Sequence, residues 1–409
     1  MKAFVLTVGV FFSVALYANP SIKPQEQAVA SAHPAATQAG IDVLNQGGNA
    51  FDAAVAVSAA LAVVEPFGSG IGGGGFWLLH RESDGFQVMV DGREVAPLKA
   101  DRDMYLDKQG EPIKNASVNG ALAAGIPGLP AALDHLAKKY GKLPLSDSLK
   151  PAIELAEKGF LVNEHYRRLA KFRQIALASN PSAEAIFLSK GQVPDLGAVI
   201  QQEDLAETLK QLSKQGFDGF YAGEVADKLV QGVQQAGGIW TKEDLKKYRV
   251  KERSPVVIDY KDMKVVSAAL PSSGGLVLSI ALNILEQYDL ESLDEATRIH
   301  VVVEAMRRAY RDRALYMGDS DFVSVPTARL THKSYAHTIS KNLSLDTATS
   351  SQDISGLKDI EGNNTTHFSV MDKAGNRVAA TLSINYPFGS GFVPAGTGVL
   401  LNDEMDDFS

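Results

Sequence analysis

The stretch TTHFSVMDKAGNRVAATLS, Thr365 to Ser383, carries the reading on which the fold turns. Thr365 to Met371 alternates polar and apolar residues, Asp372-Lys373-Ala374-Gly375-Asn376 supplies turn formers, and Arg377 to Ser383 answers as a second strand, which together predict a β-hairpin. Immediately upstream, Ser344 to Asn364 is rich in Ser, Asp, Thr, Gly and Asn and reads as a mobile linker. Thr365 therefore stands where a polar linker meets a strand. Threonine often opens strands simply because it is β-branched. The same position also suits an N-terminal nucleophile. If the chain is cut before Thr365, one residue holds both a hydroxyl and a free α-amine, whose reference pKa of about 8 lets it act as general base.

Outward from the hairpin, the rest reads as mixed α and β. Helices are expected at Pro34 to Gln46, ended by Gly47-Gly48-Asn49, and at Phe51 to Val64, apolar nearly all round and so buried. Strands follow at Phe76 to Leu79 and Gln87 to Val90. The middle is mostly helical: Leu129 to Tyr140, Ser146 to Lys158, Asn163 to Ala178, Asp204 to Gln215, Gly223 to Ala236, and Thr241 to Tyr248 with a capping box from Thr241 and Asp244. Val256 to Ala268 has strand character, an apolar helix runs from Leu276 to Gln287, and Asp294 caps a long helix to about Leu315.

The 409 residues are 45% hydrophobic and 22% charged, a globular composition with ample material for a core. Net charge is −8 and no basic patch is visible, which argues against nucleic acid as a partner. Cysteine is absent, so disulfides, a thiol nucleophile and thiolate metal sites are excluded. The histidines show no close metal-ligand spacing; His332 and His337 fall on different faces of a helix, and no metal or other cofactor is expected. Lys2, the apolar run Ala3 to Leu16, and Ala18 before Asn19-Pro20 read as a cleavable signal peptide over residues 1–18. The protein is then expected to be periplasmic or secreted, with no membrane association after signal removal.

Two motifs invite a function they do not support. Gly68, Gly70 and Gly73 match G-x-G-x-x-G, but a helix precedes and a strand follows, the reverse of a dinucleotide site; close backbone packing in a tight turn is the expectation. Pro271-Ser272-Ser273-Gly274-Gly275 lacks the elbow of a serine nucleophile and reads as a helix-capping turn.

Taken together, His33-Pro34, GGNAFDAAVA (Gly47 to Ala56), SGIGGGGF (Ser69 to Phe76), DGRE (Asp91 to Glu94), GIPG (Gly125 to Gly128), PSSGG (Pro271 to Gly275), TTHFS (Thr365 to Ser369), FGSG (Phe388 to Gly391) and LLNDEMDDFS (Leu400 to Ser409) resemble the γ-glutamyltransferases (γ-glutamyltranspeptidases, glutathione hydrolases) of the N-terminal-nucleophile hydrolase superfamily. The resemblance implies an α+β fold, a four-layer αββα sandwich. It implies autocatalytic cleavage between Asn364 and Thr365, with Thr365 then the nucleophile that accepts a γ-glutamyl group from glutathione and passes it to water, an amino acid or a dipeptide. Ser383 matches a hydroxyl that hydrogen-bonds the nucleophile. Arg93 matches the residue that pairs with the glutamate α-carboxylate, Asp407 the acid that grips the α-ammonium, and Asn385 and Glu404 positions that help hold that end.

The same resemblance divides the chain into a signal peptide (1–18), a large-subunit region (19–364) and the start of a small subunit (365–409). It leads to the expectation that the small subunit, and with it the sandwich, is incomplete at the C-terminus, lacking the oxyanion hole and activity by itself. Two other readings remain open. One is a glutaryl- or cephalosporin-type acylase of the same superfamily, which needs no grip on an α-amino group; the other is an inactive binding paralogue.

Overall fold

The structure is a computed structural model and describes residues 26–350 and 365–407. The signal-peptide reading, Asn364, Ser409 and most of the linker lie outside the described residues.

Six strands form an antiparallel sheet: β1 (Ala28–Ala30), β2 (Gly74–Arg81), β3 (Phe86–Gly92), β4 (Lys251–Arg253), β5 (Thr365–Met371) and β6 (Arg377–Ser383), in the spatial order β1-β5-β6-β2-β3-β4. The hairpin reading of 365–383 is met at both strand bounds, with Thr365 opposite Ser383 and Met371 opposite Arg377. Along β5 burial alternates: Thr366, Phe368 and Val370 are buried, while Thr365, His367 and Ser369 are exposed. The pleat turns these two sets to opposite faces, so the sheet has one face packed on helices and one that carries Thr365.

The packed face is covered by α1 (Pro34–Asn45) and α2 (Ala50–Val64). Every residue of α2 is buried. Its Ala and Val side chains are small enough for close approach: a Cβ on Gly40 of α1 would lie 2.7 Å from Val57 Cγ2. The start of α2 is fixed by a capping box of Asn49 and Asp52. The hairpin turn reinforces it, because Asp372 Oδ2 accepts from Ala50 N at 3.0 Å as well as from Asn376 Nδ2 at 2.8 Å. The turn that sets the hairpin register thereby locks β5 and β6 to the helix beneath.

Around this core lie the helices Leu129–Lys139, Leu145–Lys158, Glu164–Ala178, Glu203–Gln215, Gly223–Gln235 and Lys242–Lys247, each within two residues of its expected bounds. Thr241 and Asp244 form the expected capping box. A second, smaller core joins the helices Gly274–Leu285, Glu295–Tyr316 and Lys333–Ser340. Asp294 caps the long helix by accepting from Thr297 N at 3.1 Å.

Two expectations need correction. Ser273 stands at the N-cap of Gly274–Leu285 without a side-chain cap bond, its Oγ instead accepting from Arg313 Nε at 2.9 Å, while the helix's first N–H, that of Gly274, goes to Ser272 Oγ at 3.4 Å. The first residues of the expected linker are tied down: Thr349 Oγ1 donates to Glu304 Oε2 at 2.6 Å and accepts from Arg308 Nη2 at 3.1 Å. A polar stretch reads as linker when its partners are on a distant helix that sequence spacing does not reveal.

Candidate active site

Four strand ends meet at one edge of the sheet. Thr365 opens β5, Ser383 closes β6 opposite it, and Gly74 opens β2 opposite Ser383. Gly92 closes β3 opposite Gly75, and Arg93 follows it. Directly paired residues project to the same face, about 5 Å apart. Thr365 and Ser383 thus share the exposed face, and the side Gly74 would present belongs to it too.

Gly74 lacks a side chain for a specific reason. A Cβ there would lie 2.8 Å from Glu94 Oε2 and 2.5 Å from Gly92 O. The Glu94 carboxyl therefore occupies the place next to Ser383 on the Thr365 face. The neighbouring glycines are similarly required: a Cβ on Gly72 would meet Leu400 O at 2.1 Å and one on Gly73 would meet Ser383 O at 2.3 Å. The glycine run packs backbone against backbone, as expected, with a helix before it and β2 after it.

The Gly72–Leu401 bridge brings the C-terminal segment to the same edge. Asn402, fully buried, fastens it there: Nδ2 donates to Gly72 O at 2.6 Å and Gly125 O at 2.8 Å, while Oδ1 accepts from Gly125 N at 2.9 Å and Glu404 N at 3.0 Å. Glu404 then receives Arg93 in a two-pronged pair, Nη1 to Oε1 at 3.0 Å and Nη2 to Oε2 at 2.7 Å. Asp407 Oδ2 stands 4.0 Å from Arg93 Nη2 and Glu94 Oε2 3.6 Å from Nη1. One arginine faces three carboxyls.

The electrostatics follow. Burial opposes the charge on Arg93, but Glu404, Glu94 and Asp407 outweigh it and raise its pKa. Burial and the charge of Glu404 push the Glu94 carboxyl well above the usual carboxylate range, against the pull of Arg93. Neither Glu94 oxygen has a hydrogen-bond partner, which fits a protonated acid better than a carboxylate. Desolvation and the charge of Glu404 push Asp407 up to about 6; with 60% of its side chain open to water, solvent screens part of that effect.

Asn385 is buried with φ of 69°. Its amide nitrogen donates to Ser383 Oγ at 3.0 Å and its Nδ2 to Asp403 O at 3.0 Å. Ser383 Oγ accepts that bond and keeps its own proton to give. Beneath, Thr366 Oγ1 donates at 3.0 Å to Glu65 Oε2. Burial raises the Glu65 pKa, and the Thr366 bond opposes the rise.

The edge thus combines an exposed hydroxyl at the start of a strand, a second hydroxyl across the ladder, and a charged cluster able to hold a zwitterion. Of the seven residues singled out from the sequence, Arg93, Thr365, Ser383, Asn385, Glu404 and Asp407 lie along it, and Asn364 is outside the described residues. Glu94 and Asn402 also belong to the site, and no local sequence pattern announces either: one is marked by its missing partners, the other by bonds to residues far away in sequence.

A family model described as gamma-glutamyltranspeptidase matches residues 36–409. The glutathione hydrolase proenzyme of Pseudomonas sp. (strain A14) is 44% identical over 402 residues, covering 97% of this chain and 70% of that protein. The crystal structure of Helicobacter pylori γ-glutamyltranspeptidase aligns with a TM-score of 0.77 at 43% identity, over 81% of this chain and 97% of that one. The cephalosporin acylase from Bacillus halodurans aligns with a TM-score of 0.82 at 30% identity, over 98% of this chain and 74% of that one.

Proposed function

Since this chain belongs to the γ-glutamyltranspeptidase family and has the α+β fold of N-terminal-nucleophile hydrolases, we propose that it is a self-processing glutathione hydrolase and γ-glutamyltransferase whose nucleophile is Thr365. In the first reaction Thr365 Oγ attacks the carbonyl carbon of Asn364. The C–N bond breaks as the acyl group moves to oxygen, and water opens the resulting ester, leaving Asn364 with a carboxylate and Thr365 with a free α-amine. Residues 19–364 then make the large subunit and Thr365 begins the small one.

In turnover the α-amine takes the hydroxyl proton as Thr365 Oγ attacks the γ-carbonyl of the donor. The amine then gives the proton to the leaving nitrogen, so glutathione releases cysteinylglycine and leaves a γ-glutamyl ester on Thr365. Water, an amino acid or a dipeptide takes the acyl group. Ser383 gives its free proton to the Thr365 oxygen. Arg93 takes the α-carboxylate with N–H groups not spent on Glu404, a geometry the planar fork allows. Asp407, Glu404 and Asn385 receive the α-ammonium. Residues 1–18 serve as a signal peptide, directing the enzyme to the periplasm or outside the cell; no described helix is long and apolar enough to cross a membrane.

The observation that carries this reading is the register Thr365–Ser383–Gly74, which sets the junction hydroxyl on the sheet edge that also bears the Arg93 cluster. The acid-rich cluster favours a substrate with an ammonium group over the glutaryl side chain an acylase would take. Peptide mapping of protein quenched during glutathione turnover tests it: a γ-glutamyl ester on Thr365 is expected, and a modified residue elsewhere, or turnover by Thr365→Ala, overturns it.

A further inference from the structure

Arg93 can present its guanidinium accurately only if its main chain is fixed, and that main chain is gripped on both sides. Asp91 Oδ1 accepts from Arg93 N at 3.1 Å. From the other side, the Tyr248 hydroxyl donates to Arg93 O at 2.8 Å across 155 positions of sequence. Tyr248 ends the helix Lys242–Lys247 and is 3% exposed. Its ring stacks on Tyr221 (5.5 Å, 13°), which stacks on Phe217 (4.3 Å, 12°). The same short helix holds the chain beyond Arg93, because Asp244 Oδ1 accepts from Leu98 N at 2.6 Å.

The hydroxyl reaches Arg93 through a slot that exists only because residue 128 is glycine. A Cβ on Gly128 would lie 2.1 Å from the Tyr248 hydroxyl and 2.1 Å from Gly92 O. Gly128 N also donates to Gly73 O at 2.9 Å. The GIPG motif, without a role in the chemistry above, thereby joins the glycine run to the Arg93 turn.

We propose that Tyr248 is a positioning residue for Arg93: its hydroxyl, threaded past Gly128, fixes the backbone from which the guanidinium meets the substrate carboxylate. The proposal rests on the reading of Arg93 as the carboxylate-binding residue. Tyr248→Phe keeps the ring stack and removes one hydroxyl, so its effect belongs in substrate affinity. Loss of one hydrogen bond corresponds to about a fivefold change.

The test is steady-state kinetics with γ-glutamyl-p-nitroanilide on the self-processed enzyme expressed from its intact gene. Tyr248→Phe is expected to raise KM about fivefold while kcat stays within about twofold. Tyr221→Phe, which loses a donated bond to Pro127 O (2.7 Å) and an accepted one from Ala131 N (3.3 Å), is expected to leave KM unchanged. Arg93→Lys keeps the charge but loses the fork, and should raise KM by itself; adding Tyr248→Phe to it should change little more. If Arg93→Lys raises KM and Tyr248→Phe does not, or if Tyr221→Phe matches Tyr248→Phe, the positioning role fails and the Arg93 reading stands. If Arg93→Lys leaves KM unchanged, the Arg93 reading fails and takes the proposal with it.

Discussion

Replacing Arg93 by Met removes the cation from the three-carboxyl cluster while roughly keeping the side chain's length. Glu404 is 2% exposed and Arg93 27%, so the pair is buried on one side and partly open on the other. Removing one partner of a buried ion pair costs about 3–5 kcal/mol, because the other charge is left without compensation. The opening toward solvent at Arg93 places the expected loss near the lower end, about 3 kcal/mol. Glu94, already without a hydrogen-bond partner, loses its neighbouring cation as well. The sign of the pH dependence follows. With the arginine gone, the folded state holds protons on the cluster that the unfolded chain has released, so stability falls as pH rises. The deficit should be largest near neutral pH and shrink toward pH 5. Urea unfolding at both pH values reads it: at a slope of about 3 kcal/mol per molar, the midpoint should drop by roughly 1 M near neutrality. A midpoint equal to the parent's at both pH values, or a deficit that does not change with pH, would refute the account of the cluster.

Three further outcomes are expected. Gly72→Ala puts a methyl 2.1 Å from Leu400 O; the strained contact should cost about 1–3 kcal/mol and lower the melting temperature, and an unchanged melting curve would contradict the close packing. Thr366→Val takes from Glu65 the bond that opposes its raised pKa. A folded-state carboxyl pKa raised above the unfolded value loses stability as pH rises through it, so this variant should be about 1–3 kcal/mol less stable near neutral pH and approach the parent near pH 5; a pH-independent loss would contradict the role given to Glu65. Asp407→Asn removes the charge proposed to receive the substrate ammonium, so KM for γ-glutamyl donors should rise about tenfold or more. In the parent, with Asp407 at about 6, KM should rise as pH falls below that value. Asp407→Asn should lose this part of the profile, and an unchanged KM would count against the assignment.

What the sequence made legible was local. The hairpin from Thr365 to Ser383, the capping box at Thr241 and Asp244 and the cap at Asp294 are short-range devices, and the structure contains each. The glycine run was readable as close packing, because the order of helix and strand around it excluded a nucleotide site. What stayed hidden depends on partners far apart in the chain. Asn402 gains its importance from Gly72 and Gly125, and Tyr248 from Arg93. Thr349 is held by Glu304, so residues read as linker are anchored. The missing hydrogen-bond partners of Glu94 cannot be seen before the fold closes around it.

The most direct test of the central claim is the intact mass of the protein expressed from its whole gene, with sequencing of each N-terminus. Two chains, the second beginning at Thr365, together with a single uncut chain for Thr365→Ala, are the predicted result. A protein that turns over glutathione while remaining one chain, or one that splits at another bond, would contradict it.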